Sequence, residues 1–388
     1  MASKQRGQPV LRVSAPGKVI LFGEHSVVYK RLAVAVSVSL RTRLNLYQTD
    51  GEVSLDLPDI GLQRCWRADQ LRAWIGGLVH AEWHTPQPAS EPLRHALLEA
   101  VRRREPDISA QHALALVSFF YLYCSLCPGF PGLHVEVRSE LPTGAGLGSS
   151  AAYGVSLVTA LLYRYHQVAN SQHERLTLRT GEPVRPDAAT RALISEWALA
   201  SDKIIHGNAS GIDNSVSTHG GALTFRAGVI EPLQDAQLIQ VLLVDTRVPR
   251  NTRAMVAHVH EQLADDRFSA ALEPVLDSMQ AVSESALAAL ADGDQPALAR
   301  LVGLNQALLA ALGVSHPALD AVCLAAARRG LPAKLTGAGG GGFALVMLPA
   351  GTPEHAAAAV RDDLDRLGYG VYDVQVAGEG VLVQNLAV

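Results

Sequence analysis

The segment that most constrains this chain is Leu141-Pro142-Thr143-Gly144-Ala145-Gly146-Leu147-Gly148-Ser149-Ser150-Ala151-Ala152. Before it, Leu133-His134-Val135-Glu136-Val137 alternates in a way that predicts a strand. After it, a long apolar run from about Ala151 to Tyr165 predicts a helix. Alternate glycines let a backbone approach a ligand closely and adopt dihedrals closed to other residues. The start of the helix adds unpaired N–H groups and the positive end of a dipole. Together they make an anion site that needs no charged side chain. Ser149 and Ser150 are placed to cap the helix, and either hydroxyl can also ligate a metal.

Several loops of this general kind exist. A Walker A loop needs Gly-Lys-Ser/Thr at its end, and Gly148-Ser149-Ser150 has no lysine. A dinucleotide loop needs G-x-G-x-x-G and an acidic residue some 20 positions on. Here the spacing is G-x-G-x-G, and Gln167 to Asn170 supplies no acid. A tight turn with a capped helix is the bland alternative. A third phosphate loop of G-L-G-S-S type fits best.

Two further segments carry chemistry. Lys334-Leu335-Thr336-Gly337-Ala338-Gly339-Gly340-Gly341-Gly342-Phe343 sets four consecutive glycines before an apolar strand. Such a run costs chain entropy. It reads either as a linker or as a second glycine loop closing on the same ligand. Near the amino end, Ala15-Pro16-Gly17-Lys18 leads into Gly23-Glu24-His25, crowding three ionisable groups into a short stretch. A carboxylate partner for Lys18 has to come from elsewhere. Asp213 follows the loop His206-Gly207-Asn208-Ala209-Ser210-Gly211, and Asp202 ends the preceding helix. Asp213 can simply cap a helix. Alternatively, the two carboxylates divide the work, one holding a cation and one facing a substrate hydroxyl.

Composition removes other classes. The 388 residues suggest two domains or one large one. With 48% apolar and 18% charged residues the chain is not disordered. A formal charge of −4 gives no general electrostatic reason to bind nucleic acid or an anionic membrane. Four cysteines make no disulfide framework, and Cys124-x-x-Cys127 continues an apolar run, so both read as buried, reduced thiols. Met1 to Arg6 is followed by no signal-peptide core, and the longest apolar stretch, Ala113 to Leu126, is too short to span a bilayer. A cytoplasmic protein is expected.

Along the chain, Val10 to Val13 and Val19 to Leu21 read as two short strands around the turn Ala15-Pro16-Gly17. Val34 to Leu46 reads as a strand, and Glu91 to Arg103 as a helix. Gln167 to Pro186 reads as a surface insertion, and Arg191 to Ile205 as a helix. Leu238 to Val244 is an expected strand, and Asn251 to Leu312 is expected to be mostly helical. Phe343 to Leu348, Tyr372 to Val376 and Val381 to Val383 are further strands, with an amphipathic helix over Pro353 to Leu367. A boundary near residues 228–236 divides the chain into 1–230 and 231–388.

Pro16-Gly17-Lys18, Gly144 to Ser150 and Lys334 to Gly342 resemble the three motifs of the GHMP kinases, which include galactokinase, homoserine kinase, mevalonate kinase and phosphomevalonate kinase. Ser14 to Leu21, Gly23 to Val28, Gly221-Ala222-Leu223 and Val248 to Arg253 are similar in detail to the animal mevalonate kinases. The resemblance runs from about Val10 to about Val383, and no galactokinase sugar signature follows Glu24-His25. It implies an α+β fold of two domains, the first like ribosomal protein S5 domain 2 and the second ferredoxin-like, with the site in the cleft between them. It implies phosphorylation of the 5-hydroxyl of (R)-mevalonate by ATP with Mg²⁺, in a cytoplasmic homodimer subject to feedback inhibition by isoprenyl diphosphates. ATP then lies on Gly144, Ala145, Gly146, Leu147, Gly148, Ser149 and Ser150, with Ser139 and Lys18 also touching the nucleotide. Ser150 and Asp202 ligate Mg²⁺. Asp213 is the catalytic carboxylate and Lys18 its partner. Glu24, His25 and Thr252 line the mevalonate side. Three positions depart from the usual pattern: Asp202 stands for Glu, Ala209 for Pro and Asp59 for Asn. The rival readings are another GHMP kinase, such as phosphomevalonate kinase, and a non-catalytic GHMP-like sensor.

Overall fold

A computed structural model describes residues 8–79, 85–86, 90–142, 144, 146–166, 181–207, 209–233 and 236–386. The strands are β1 (Leu11–Phe22), β2 (Ala33–Gln48), β3 (Glu52–Leu57), β4 (Leu62–Arg67), β5 (Leu133–Ser139), β6 (Ala222–Arg226), β7 (Val229–Leu233), β8 (Ile239–Asp245), β9 (Ala333–Leu335), β10 (Phe343–Leu348), β11 (Gly370–Val376) and β12 (Leu382–Asn385). The helices are α1 (Ala68–Ile75), α2 (Glu91–Arg104), α3 (Ala110–Leu126), α4 (Ser149–Tyr165), α5 (Ala188–His206), α6 (Ile212–His219), α7 (Thr252–Ala264), α8 (Asp266–Asp292), α9 (Gln295–Ala311), α10 (Pro317–Ala327) and α11 (Glu354–Arg366). The α+β expectation holds. Part of the expected 167–186 insertion, residues 167–180, lies outside the described residues, as does the amino-terminal stretch through Gly7.

The strands run β4-β3-β5-β2-β11-β8-β10-β9, with β1 between β2 and β12, and β6 between β2 and β7. The register pair Val38 with Val376 joins β2 to β11, and through β11 to β8, β10 and β9, while β12 of the second half pairs with β1. The long strand β2 explains how it can do this. Residues 33–38 are buried on both faces, whereas beyond Arg41 burial alternates through Thr42, Leu44 and Leu46. One end of β2 is central and the other has a wetter face.

The two strands expected around Ala15-Pro16-Gly17 are one. β1 runs straight through, with a register shift against β2 between Pro16 and Lys18. A proline lacks the N–H a regular ladder needs, and a bulge accommodates it without ending the strand. The hairpins β3–β4 and β6–β7, together with α1, α10 and β9, carried too little periodicity to be read from the sequence.

One core lies between the amino-terminal sheet and α3, α4 and α5, and includes Phe119, Tyr123, Val155, Leu162 and Trp197. A second fills the space between β8–β10 and α8–α11, with Leu242, Met279, Leu309, Leu319 and Leu364. Cys124 and Cys127 lie in and just after α3 as reduced thiols, and burial raises both, Cys124 to about 12. Among the described residues no helix is long and apolar enough to cross a membrane.

Candidate active site

Three elements converge on the central glycine loop, and the packing explains the residue at each meeting point. Gly17 sits at the bulge of β1. A Cβ there would lie 2.4 Å from Leu141 Cδ2 and 2.6 Å from the Leu147 carbonyl oxygen. Only glycine permits this approach, and it lets the Lys18 N–H donate to Leu147 O at 2.8 Å. From the other side, Ser217 of α6 donates to Pro16 O at 2.6 Å. Asp213 lies in the first turn of α6, one turn before Ser217. These two ties bring Lys18 Nζ to 3.0 Å from Asp213 Oδ1. The pair flanks Gly148, whose missing Cβ would be 3.1 Å from Lys18 Cγ and 3.8 Å from Asp213 Oδ2.

The start of α4 differs from the sequence expectation in one respect. The N-cap is Gly148, in the left-handed region at φ 76°, and no side chain among the described residues caps the helix. Ser149 and Ser150 are the first two helical residues rather than caps. The first-turn N–H groups are therefore left for a ligand, as an anion site requires. Gly144, Gly146, Gly148, Ser149 and Ser150 all line a cavity of about 730 Å³, within the usual range for a small-molecule site. Ala145 lies outside the described residues. The Leu147 side chain is buried at 2% exposure and contributes through its carbonyl.

At one end the cavity is walled by Leu57, Ile60, Leu114, Val137 and Tyr153. Burial raises the Tyr153 phenol, and its hydroxyl has no hydrogen-bond partner among the described residues. Ser139 borders this end: its N–H donates to Asp59 at 2.6 Å, and its hydroxyl bonds that of Thr42 at 2.8 Å. This half suits a flat, largely apolar group with a polar edge. At the other end stand Asp202, Asp213, Arg250 and Thr252.

Asp202 is 8% exposed, and its Oδ1 has no hydrogen-bond partner among the described residues. His206 Nε2 is 3.6 Å from that oxygen and 3.1 Å from Ser150 Oγ. Burial, opposed by His206 and reinforced by nearby Asp213, pushes the Asp202 carboxyl up to about 6. A buried carboxylate with an orphaned oxygen beside a serine hydroxyl is a hard-oxygen donor set, and it fits Mg²⁺.

Arg250 had no role in the sequence reading beyond its place in a motif. It precedes α7, and its guanidinium lies on both glycine loops. A Cβ on Gly146 would fall 1.8 Å from Arg250 Nη2, and one on Gly337 would fall 3.2 Å from Nη1. Burial lowers its pKa and Asp213 opposes the shift. The signal that could have found it is an arginine placed directly before a helix start. Thr252, the first residue of α7, lines the cavity. Glu24 and His25 do not line it: Glu24 is 2% exposed and paired with Lys334, and His25 Nε2 bonds Ala338 O at 2.8 Å.

An uncapped helix start facing an aspartate–lysine pair can hold a polyphosphate and receive the proton of an attacking hydroxyl; that is the chemistry of a small-molecule phosphotransferase. Residues 112–221 match the GHMP kinases N terminal domain, and residues 286–370 match the GHMP kinases C terminal domain. Mevalonate kinase of Homo sapiens is 40% identical, covering 97% of this chain and 95% of that protein. The Bos taurus mevalonate kinase is 39% identical, over 97% and 96%. In fold, a crystal structure of L. major mevalonate kinase in complex with R-mevalonate aligns with a TM-score of 0.68 at 21% identity, over 100% of both chains. The chain belongs to the GHMP kinases, and within them to the mevalonate kinases.

Proposed function

We propose that this protein transfers the γ-phosphoryl group of ATP to the primary 5-hydroxyl of (R)-mevalonate, giving 5-phosphomevalonate for isoprenoid and sterol biosynthesis. The observation that carries the reading is the 3.0 Å Lys18–Asp213 pair beside Gly148, at the uncapped start of α4. The relatives named mevalonate kinase support the choice of acceptor.

In this reading the α4 N–H groups and the glycine loop hold the phosphates, and Ser139 borders the nucleoside. Asp213 takes the hydroxyl proton. A carboxylate is a weak base, so the proton moves late, as oxygen–phosphorus bonding advances. Lys18 stabilises the developing alkoxide, and Arg250 the charge on the transferring group. In a loose transition state such positioning and electrostatics supply most of the rate. Asp202 and Ser150 would hold Mg²⁺, which when bound neutralises phosphate charge. Thr252 belongs to the acceptor side directly, and His25, which does not line the cavity, through its bond to the second glycine loop on which Arg250 lies.

The division of the chain at 230/231, a homodimer in the cytoplasm, and inhibition by isoprenyl diphosphates competing with ATP are part of the same reading. Light scattering tests the dimer, and inhibition kinetics against ATP test the last. The deciding experiment is an ADP-release assay with mevalonate, galactose, homoserine and phosphomevalonate side by side. Turnover with mevalonate alone is expected. Turnover with phosphomevalonate instead moves the protein to another GHMP activity, and ligand binding with no ADP release makes it a sensor.

A further inference from the structure

The phosphotransfer chemistry above leaves one buried ion pair unused. Lys334, on β9, has 0% exposure, and Glu24, in the turn after β1, has 2%. The ammonium donates to Glu24 Oε1 and, at 2.7 Å, to the Leu335 carbonyl. Asn305 of α9 donates through Nδ2 to Glu24 Oε2 at 3.0 Å. Both carboxylate oxygens are thus held from the second half of the chain. The carboxylate also fixes the amide orientation, leaving Asn305 Oδ1 without a partner among the described residues.

Neighbouring bonds make the same crossing. Thr336 Oγ1 donates to Ile20 O at 2.8 Å, and His25 Nε2 meets Ala338 O at 2.8 Å. The turn between them is unusual, with Gly23 at φ 89° and His25 at φ 59°. A non-glycine residue at positive φ persists only when its surroundings over-determine it. Burial lowers the Lys334 pKa, and the Glu24 carboxylate opposes the shift. A buried pair of this kind adds little net stability, because desolvating two charges offsets their attraction. What it supplies is a fixed geometry.

We propose that Lys334 is a positioning residue: through Glu24 it locks the β1 turn bearing His25 onto the second glycine loop, so that the acceptor meets a preformed wall. Glu24 then acts through the clamp and not as a substrate ligand. The proposal rests on the reading of the cavity as a phosphotransfer site with His25 on the acceptor side.

Three variants test it. Lys334→Met leaves the carboxylate unpaired, Lys334→Arg keeps the charge, and Lys334→Met combined with Glu24→Gln removes both charges. The readouts are melting temperature, acceptor KM and kcat, affinity for a fluorescent ATP analogue, and the imidazole ¹⁵N shifts of His25. The single Met variant should melt lower and the neutral double variant should recover. In both, acceptor KM should rise about tenfold or more, as expected for misplaced binding groups, while nucleotide affinity stays within about twofold. His25 signals should move in both, and Lys334→Arg should recover part of the acceptor KM. A neutral double variant with wild-type acceptor KM and unmoved His25 signals overturns the proposal. If the wild-type protein turns over no acceptor, the mevalonate reading fails on its own. The His25 signals of the double variant then decide: displaced signals support the clamp and unmoved ones overturn it.

Discussion

Ser217 donates its hydroxyl hydrogen to the carbonyl of Pro16 across 2.6 Å, and this bond sets where Asp213 stands. The serine lies one helical turn beyond the aspartate, and the proline two residues before Lys18. The geometry of the pair is therefore built into the junction of α6 with β1 and does not depend on two mobile side chains finding each other.

Asp213→Asn keeps the shape of that junction and removes the base. Turnover should fall about 10²- to 10⁴-fold, the usual contribution of a positioned general base. Calorimetry with an ATP analogue should show nucleotide affinity little changed. Near-normal turnover of Asp213→Ala would remove Asp213 from its assigned role.

Gly17→Ala places a methyl group 2.4 Å from Leu141 Cδ2 and 2.6 Å from a carbonyl oxygen. Overpacking of this kind typically costs about 1–3 kcal/mol. Urea denaturation should report that loss, and kcat should drop with it, because the strand bearing Lys18 is pushed off the glycine loop. Unchanged stability would mean that β1 does not make this close approach in solution.

Arg250→Met removes the guanidinium shared by the two glycine loops. Loss of one preorganised donor to developing charge commonly costs about 10²–10³ in kcat. Arg250→Lys should recover only part of this, since an ammonium cannot reproduce the planar fork. Steady-state kinetics at saturating ATP and mevalonate measure both, and a fully active Arg250→Met protein contradicts the assignment.

Asp202 predicts a pH effect on stability with a definite sign. Its carboxyl is pushed up to about 6 in the folded chain, against an ordinary value of 3.8. Well below pH 3.8 it is protonated folded and unfolded, and contributes no difference. As pH rises to 6 and beyond, the unfolded chain ionises freely and folding becomes less favourable. Without divalent cations, Asp202→Asn should thus be more stable than wild type above pH 6, by about 1–3 kcal/mol, with the advantage small at pH 4 and vanishing below it. Mg²⁺ with an ATP analogue should shrink the advantage by stabilising the wild type. Melting curves at pH 4, 5, 6 and 8 check this, and parallel curves for the two proteins would show that Asp202 carries no such penalty.

The glycine-rich segments were legible because backbone chemistry is local: alternate glycines before an apolar helix advertise an anion site without tertiary information. Asp213 and Asp202 stood out for a similar reason, flanking a loop of small residues. Whether Ser149 and Ser150 cap the helix was not legible, because that depends on one residue's φ at Gly148. Arg250 and the Glu24–Lys334 pair were hidden for a different reason. Their partners lie far away in sequence, and a lysine reads as a solvated surface residue until packing shows otherwise. The merging of two expected strands into β1 belongs with these, since a bulge is defined by the neighbouring strand.

β12 closes against β1 by pairing Leu11 with Asn385 and Ser14 with Leu382. Synthesis from the amino end must therefore travel almost the whole chain before the lysine-bearing strand gains its second neighbour. Until then one flank of that strand exposes bare backbone donors and acceptors, which other chains can pair with. Truncation before residue 382 is thus expected to yield a sticky, chaperone-dependent fragment in place of a smaller catalyst.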